Sequence, residues 1–150
     1  MMVMQSVSAT GASAPRAPWH LWVVGVVALL WNASGAYTIM ASQAGRFPNQ
    51  SAVELAYYAA QPTWFAIAVD IALVTGIAAS VALLLRNRAA AWLFAISLVA
   101  MVSTNAYDLA AGTSLVIGNT GAAVATGIIA LLGILELVYA SAMKKRGVLR

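Results

Sequence analysis

Residues 64–85 read WFAIAVDIALVTGIAASVALLL, an apolar run interrupted by a single charge, Asp70. A bilayer core about 30 Å thick is crossed by about 20 residues in helical form. The run is long enough to cross, and its Ala and Leu content favours helix over strand. A spanning barrel would instead need many short alternating segments. Three further stretches have the same character: residues 19–41, 89–109 and 121–143. The expectation is therefore an all-α polytopic membrane protein, a four-helix transmembrane bundle spanning residues 19–143.

Composition agrees with lipid as the solvent. Of the 150 residues, 63% are hydrophobic and 8% are charged, with a mean hydropathy of +0.88. Soluble domains carry about 25% charged residues, so this chain could not cover a water-facing surface. The formal charge of +4 does not point to nucleic acid, because the basic residues flank apolar runs instead of forming a stripe. If both ends face the cytoplasm, that side holds Arg16, Arg86, Arg88, Lys144, Lys145, Arg146 and Arg150, while the other holds Arg46. Seven against one orients the chain N-in and C-in by the positive-inside rule, which suits a multi-pass protein of a bacterial inner (plasma) membrane. The first run exceeds the 7–15 apolar residues typical of a cleaved leader, so it is read as a span.

Outside the spans, residues 1–18 are rich in Ser, Ala, Thr and Pro and read as a disordered tail. Residues 144–150 form a basic tail whose minimal role is to anchor the last span. Between Ser42 and Thr63 lies the longest loop, holding Pro48 and Pro62. Within it SAVELAYYAAQ (51–61) reads as a short interfacial helix, with Ser51 and Glu54 spaced as a capping box. Asn49-Gln50-Ser51 matches a glycosylation sequon, a pattern common by chance. Asn87 centres a tight turn between the second and third spans.

At 100° per residue each span has one small or polar face. Gly25, Ala28, Asn32 and Ala36 share a face on the first span. Ala72, Gly76 and Ser80 share one on the second, with Asp70 nearly opposite. Ser97, Thr104 and Asp108, flanked by Asn105, line the third, and Ala122, Thr126, Ile129, Gly133, Glu136 and Ala140 the fourth. Small residues let helices approach in lipid, and polar ones hydrogen-bond across the gap. Asp70 and Glu136 matter most, since a charge at mid-membrane costs about 2.5–3.5 kcal/mol on insertion scales. Such an acid either serves an ion or solute path or is held neutral by hydrogen bonds. The candidate polar pathway is Asp70, Glu136, Asn32, Asn105 and Thr104, with Asp70, Asn32, Thr104 and Asn105 expected at similar depth. No catalytic, cofactor-binding or metal-binding residue is expected. The chain has no Cys and one His, His20, which excludes thiolate sites and paired haem ligation. Trp19, Trp22, Trp64 and Trp92 sit near span ends, where aromatic belts form.

Several of these segments resemble a family of small bacterial four-span membrane proteins of uncharacterised function. The resembling pieces are ALLWNASGA (28–36), PTW (62–64), LLLR (83–86) leading into AWLF (91–94) and SL (97–98), and RGVLR (146–150). The resemblance implies a four-helix membrane fold, and proteins of this kind sometimes carry the automatic label sugar transporter. Family members often place an acid and a Tyr after the Asn-x-x-Gly pattern. Here the place reads Ala36-Tyr37-Thr38, without the acid.

The functional expectation is a transporter or channel component for a small solute or proton, and not an enzyme. The alternative is an accessory or scaffolding subunit that packs against other membrane proteins through its small-residue faces. Expected partners are the lipid bilayer and another membrane protein or a second copy. Reporter fusions check the orientation. A reporter that is active only outside the cytoplasm should stay silent at both ends of the chain and light up within the 42–63 loop. A signal at either end would overturn the N-in, C-in assignment.

Overall fold

The computed structural model describes the backbone of residues 16–46, 51–112 and 120–150. The expected disordered tail over residues 1–15, and Asn49 and Gln50 of the sequon, lie outside the described residues. The elements are α1 (Trp19–Gln43), α2 (Ala52–Ala60), α3 (Thr63–Leu84), α4 (Ala89–Ala110) and α5 (Thr120–Lys145). No strand occurs among the described residues. Helices α1, α3, α4 and α5 are each long and apolar enough to cross a membrane. The protein is an all-α, multi-pass membrane protein. Helix α2 lies in the long loop, too short to cross.

Prolines start two of the spans. Pro18 and Pro62 take extended backbone (φ −68°, ψ 146° and φ −67°, ψ 149°) immediately before α1 and α3. A helix's first N–H groups have no partner within it, so proline's missing N–H is no loss there. Asn87 closes the α3–α4 hairpin, its Oδ1 accepting the Ala89 N–H at 2.8 Å.

Helix α3 packs most extensively on α4, then α1 on α3 and α4 on α5. Small residues set these distances. A Cβ added at Gly25 would lie 2.5 Å from Leu84 Cδ2, so the Leu84 side chain of α3 packs directly on the bare backbone of α1 there. A Cβ at Gly133 would lie 3.2 Å from Met101 Cε, where α5 meets α4. With lipid as apolar as leucine, such packing contacts hold the helices together in place of a hydrophobic drive.

The buried core gathers at one end, called here the basic end, where α1 and α4 begin and α3 and α5 finish. Leu21, Ala79, Leu83, Ala90, Phe94, Ala140 and Met143 form it. At the opposite, loop end, residues 124–129 of α5 are all exposed. The stripe expected along α5 is therefore packed only in its basic half: Ala140 is buried and Gly133 half-buried, whereas Thr126 and Ile129 are exposed.

The basic tail is a docked element. After α5, Gly147 adopts φ 69°, the left-handed conformation that glycine takes without a Cβ penalty. The chain then folds back, burying Val148 and Leu149 (4% and 5% exposed) against the core. Arg150 pairs with the α3–α4 turn: its N–H donates to Arg86 O at 2.7 Å and its carbonyl accepts the Arg88 N–H at 2.9 Å. Arg86 Nε also donates to Val148 O at 3.2 Å. These bonds hold Arg86 at φ 58°, a conformation that costs a non-glycine residue about 1–2 kcal/mol.

Burying a Val or Leu side chain is worth about 1.5–3 kcal/mol. Replacing Val148 and Leu149 together with Ser should lower the melting midpoint in detergent by several degrees. An unchanged midpoint would show that the tail rests on the bundle without bracing it.

Candidate functional site

The polar side chains inside the bundle converge on Asn32. It sits on the packed face of α1, one turn beyond Ala28, and its amide turns back so that Nδ2 donates to Ala28 O at 2.9 Å. The same nitrogen lies 3.1 Å and 3.4 Å from the two carboxylate oxygens of Glu136 on α5, and 3.4 Å from Ser80 Oγ on α3. Helix α4 contributes Ser97, whose hydroxyl donates to Ala72 O at 2.8 Å and ties α4 to α3. Four spans thus meet around one amide–carboxylate pair.

Gly76 makes room for it. A Cβ there would collide with Asn32 Oδ1 and lie 3.2 Å from Ser97 Oγ. Ser80, one turn on, is fully buried and satisfied by Gly76 O at 2.9 Å. Glycine is required at position 76 by the close approach of three helices, not by its own backbone angle.

The hydrogen count at Glu136 is low. An Asn amide carries two N–H hydrogens. One is directed to Ala28 O, which leaves one to be shared among the two carboxylate oxygens and Ser80 Oγ. When ionised, the carboxylate would offer about four lone-pair sites, most of them facing away from Asn32. Two spaces adjoin it. On the Ser97 side is a small cavity of about 40 Å³, bounded by Asn32, Ser97, Met101, Gly133 and Glu136. About 10–15 Å³ holds one water, so the cavity has room for water with polar partners on its wall. On the other side Glu136 borders a groove of about 630 Å³ between α1 and α5, walled by Val, Leu and Trp31. At the basic end of that groove His20 Nδ1 and Tyr139 Oη lie 2.6 Å apart, linking α1 to α5, with Arg146 beside them.

Of the residues expected to form a pathway, Asn32 and Glu136 come together. Asp70 does not join them. It is exposed on the outward stripe of α3, among Ile67, Ile71 and Val74. Thr104 is buried, its hydroxyl donating to Met101 O at 2.8 Å within α4, and Asn105 is half-buried beside it. The expected cluster of Asp70, Asn32, Thr104 and Asn105 is thus divided: Asn32 is drawn to Glu136 and Ser80, away from Asp70. Ser80, Ser97 and Gly76 join the centre, and each already stood on a small or polar face of its helix. The His20–Tyr139 link had no periodic signal to announce it. At the loop end Tyr57 Oη donates to Asp108 Oδ1 at 2.6 Å, fastening α2 to α4. Among the described residues no group of three or more His, Cys, Asp or Glu side chains is placed to hold a metal ion.

No family model matches the chain, and neither a curated protein nor a solved structure matches it.

The crowding at Gly76 gives a coupled pair of variants. Gly76→Ala should cost about 1–3 kcal/mol, as overpacking does, and Asn32→Ala should cost stability by breaking the Glu136 contact. The double variant, which removes the colliding oxygen, should cost less than the sum of the two in thermal melts. Strict additivity would place Asn32 Oδ1 away from Gly76.

Proposed function

We propose that this is a non-catalytic transport component of a bacterial plasma membrane, N-in and C-in, that binds a proton or small cation at Glu136. The observation that carries this reading is the under-supplied carboxylate. Glu136 shares one Asn32 hydrogen, adjoins a water-sized cavity and borders a groove. Ionisable groups within spans commonly mark ion or proton paths. Asn32 is its positioning partner, and Ser97 and Ser80 hold the surrounding helices in register. In proteoliposomes, proton or monovalent-cation flux should be present in the native protein, abolished in Glu136→Gln and unchanged in Asp70→Asn. Equal flux in Glu136→Gln would overturn the assignment.

A second reading, an accessory subunit, is favoured by Asp70. A carboxylate on the outward face of a span is expensive against hydrocarbon, and a donor on a neighbouring membrane protein would relieve it. Because the chain has no cysteine, Ile67→Cys and Val74→Cys are clean crosslinking probes. Under this reading they capture a partner in native membranes, and Asp70→Leu weakens the capture.

A further inference from the structure

The space between α1 and α5 exceeds what a proton or simple ion requires. Its volume of about 630 Å³ lies in the range of about 300–1,000 Å³ that takes drug-sized ligands. Its walls are Val23, Val27, Leu132, Leu135 and Val138, with Glu136 among them. Val23, Val27, Leu135 and Val138 are also exposed on the outer surface of the bundle, so the groove opens sideways, toward where lipid lies. A ligand can therefore enter from the bilayer.

The charges select its chemistry. A neutral apolar ligand would leave the spare lone pairs of Glu136 facing hydrocarbon, which is costly. An anion would be repelled by the carboxylate. A cation with a strongly hydrated head would lose its water in walls that offer few replacements. Arg146, at the basic-end mouth, repels positive charge and leaves Glu136 as the seat. We propose that the groove binds a lipophilic cation, an aromatic or aliphatic body carrying one positive charge, with the charge against Glu136. This rests on the reading of Glu136 as a cation-binding group and adds to the proton or small cation a second class, one that reaches the carboxylate through the lateral groove.

The test uses the full-length protein in lipid nanodiscs with radiolabelled tetraphenylphosphonium in equilibrium dialysis, empty nanodiscs supplying the background. Tetraphenylborate, of the same shape and opposite charge, is the competitor. The expected result is a saturable site that is weakened about tenfold or more, equivalent to about 1.4 kcal/mol, in Glu136→Gln and in Val27→Trp. The second variant fills the groove while keeping the carboxylate. Asp70→Asn should bind as the native protein does, and tetraphenylborate should not displace the probe. Undiminished binding in Glu136→Gln, or equal displacement by tetraphenylborate, overturns the proposal. So does a Val27→Cys chain that crosslinks to itself across the groove without binding the probe, which would make the groove an interface between two copies. Loss of phosphonium binding with Glu136-dependent ion flux intact overturns the lipophilic class alone. Loss of both removes the underlying reading as well.

Discussion

A carboxylate inside a bilayer has few donors to turn to, and the nearest one decides where its helix can sit. In this protein that donor is the Asn32 amide, which reaches Glu136 at 3.1 Å across the bundle. Interhelical hydrogen bonds of this kind contribute on average about 0.6 kcal/mol, with an upper end near 1.7. That is modest beside the cost of an unpartnered charge. The pairing therefore acts less as glue than as a register pin. With Asn32 and Glu136 opposite one another, Gly76 must be bare, Ser80 must turn to its own helix, and α1 and α5 are joined on the one side where backbone packing is sparse.

The spans were legible because lipid simplifies the code. Runs of about 20 apolar residues ending at Pro, Gly or Arg leave few other folds open. The packing faces followed from helical period and residue size: Gly25, Ala28, Gly76 and Ser80 are all buried, and the large residues Val27, Leu30, Val74 and Leu131 are outside. Partnership between faces was not legible. Period places Asn32 and Asp70 each on a face of its own helix, but not opposite a particular neighbour. Depth counted from span ends suggested Asp70 for Asn32, whereas rotation of α3 turns Asp70 outward and Glu136 fills the place. The docked tail was hidden for a different reason. Val148 and Leu149 are too short a motif to carry a period, and the bonds that hold them are between backbone groups, which composition does not register.

Packing is unequal along the bundle axis. The basic end holds most of the buried core, with the tail wedged beneath it and bonded to the α3–α4 turn. The loop end holds α2 by the Tyr57–Asp108 bond and leaves the start of α5 exposed from Val124 to Ile129. Regions with few packed contacts open at the lowest free energy. The loop-end half of α5 is therefore the part of the described bundle that moves most cheaply, and α3 with α4 the part that moves least.

Glu136 stands at the border between these regimes. Toward the basic end, α5 is clamped by Ala140 and Met143 in the core and by Tyr139 on His20. Toward the loop end, Gly133 packs close to Met101 and Leu98 of α4 before the exposed stretch begins. A swing of α5 about its clamped half would carry Glu136 away from Asn32 and widen both the Ser97 cavity and the lateral groove, because the carboxylate borders each. The converse follows from the same geometry. A charge that neutralises Glu136 would remove its need for the shared Asn32 hydrogen, and with it a polar restraint on that swing. Under the proposed function, ligand binding at the carboxylate and the position of α5 would be two faces of a single equilibrium, since a ligand that binds two positions unequally must shift the balance between them.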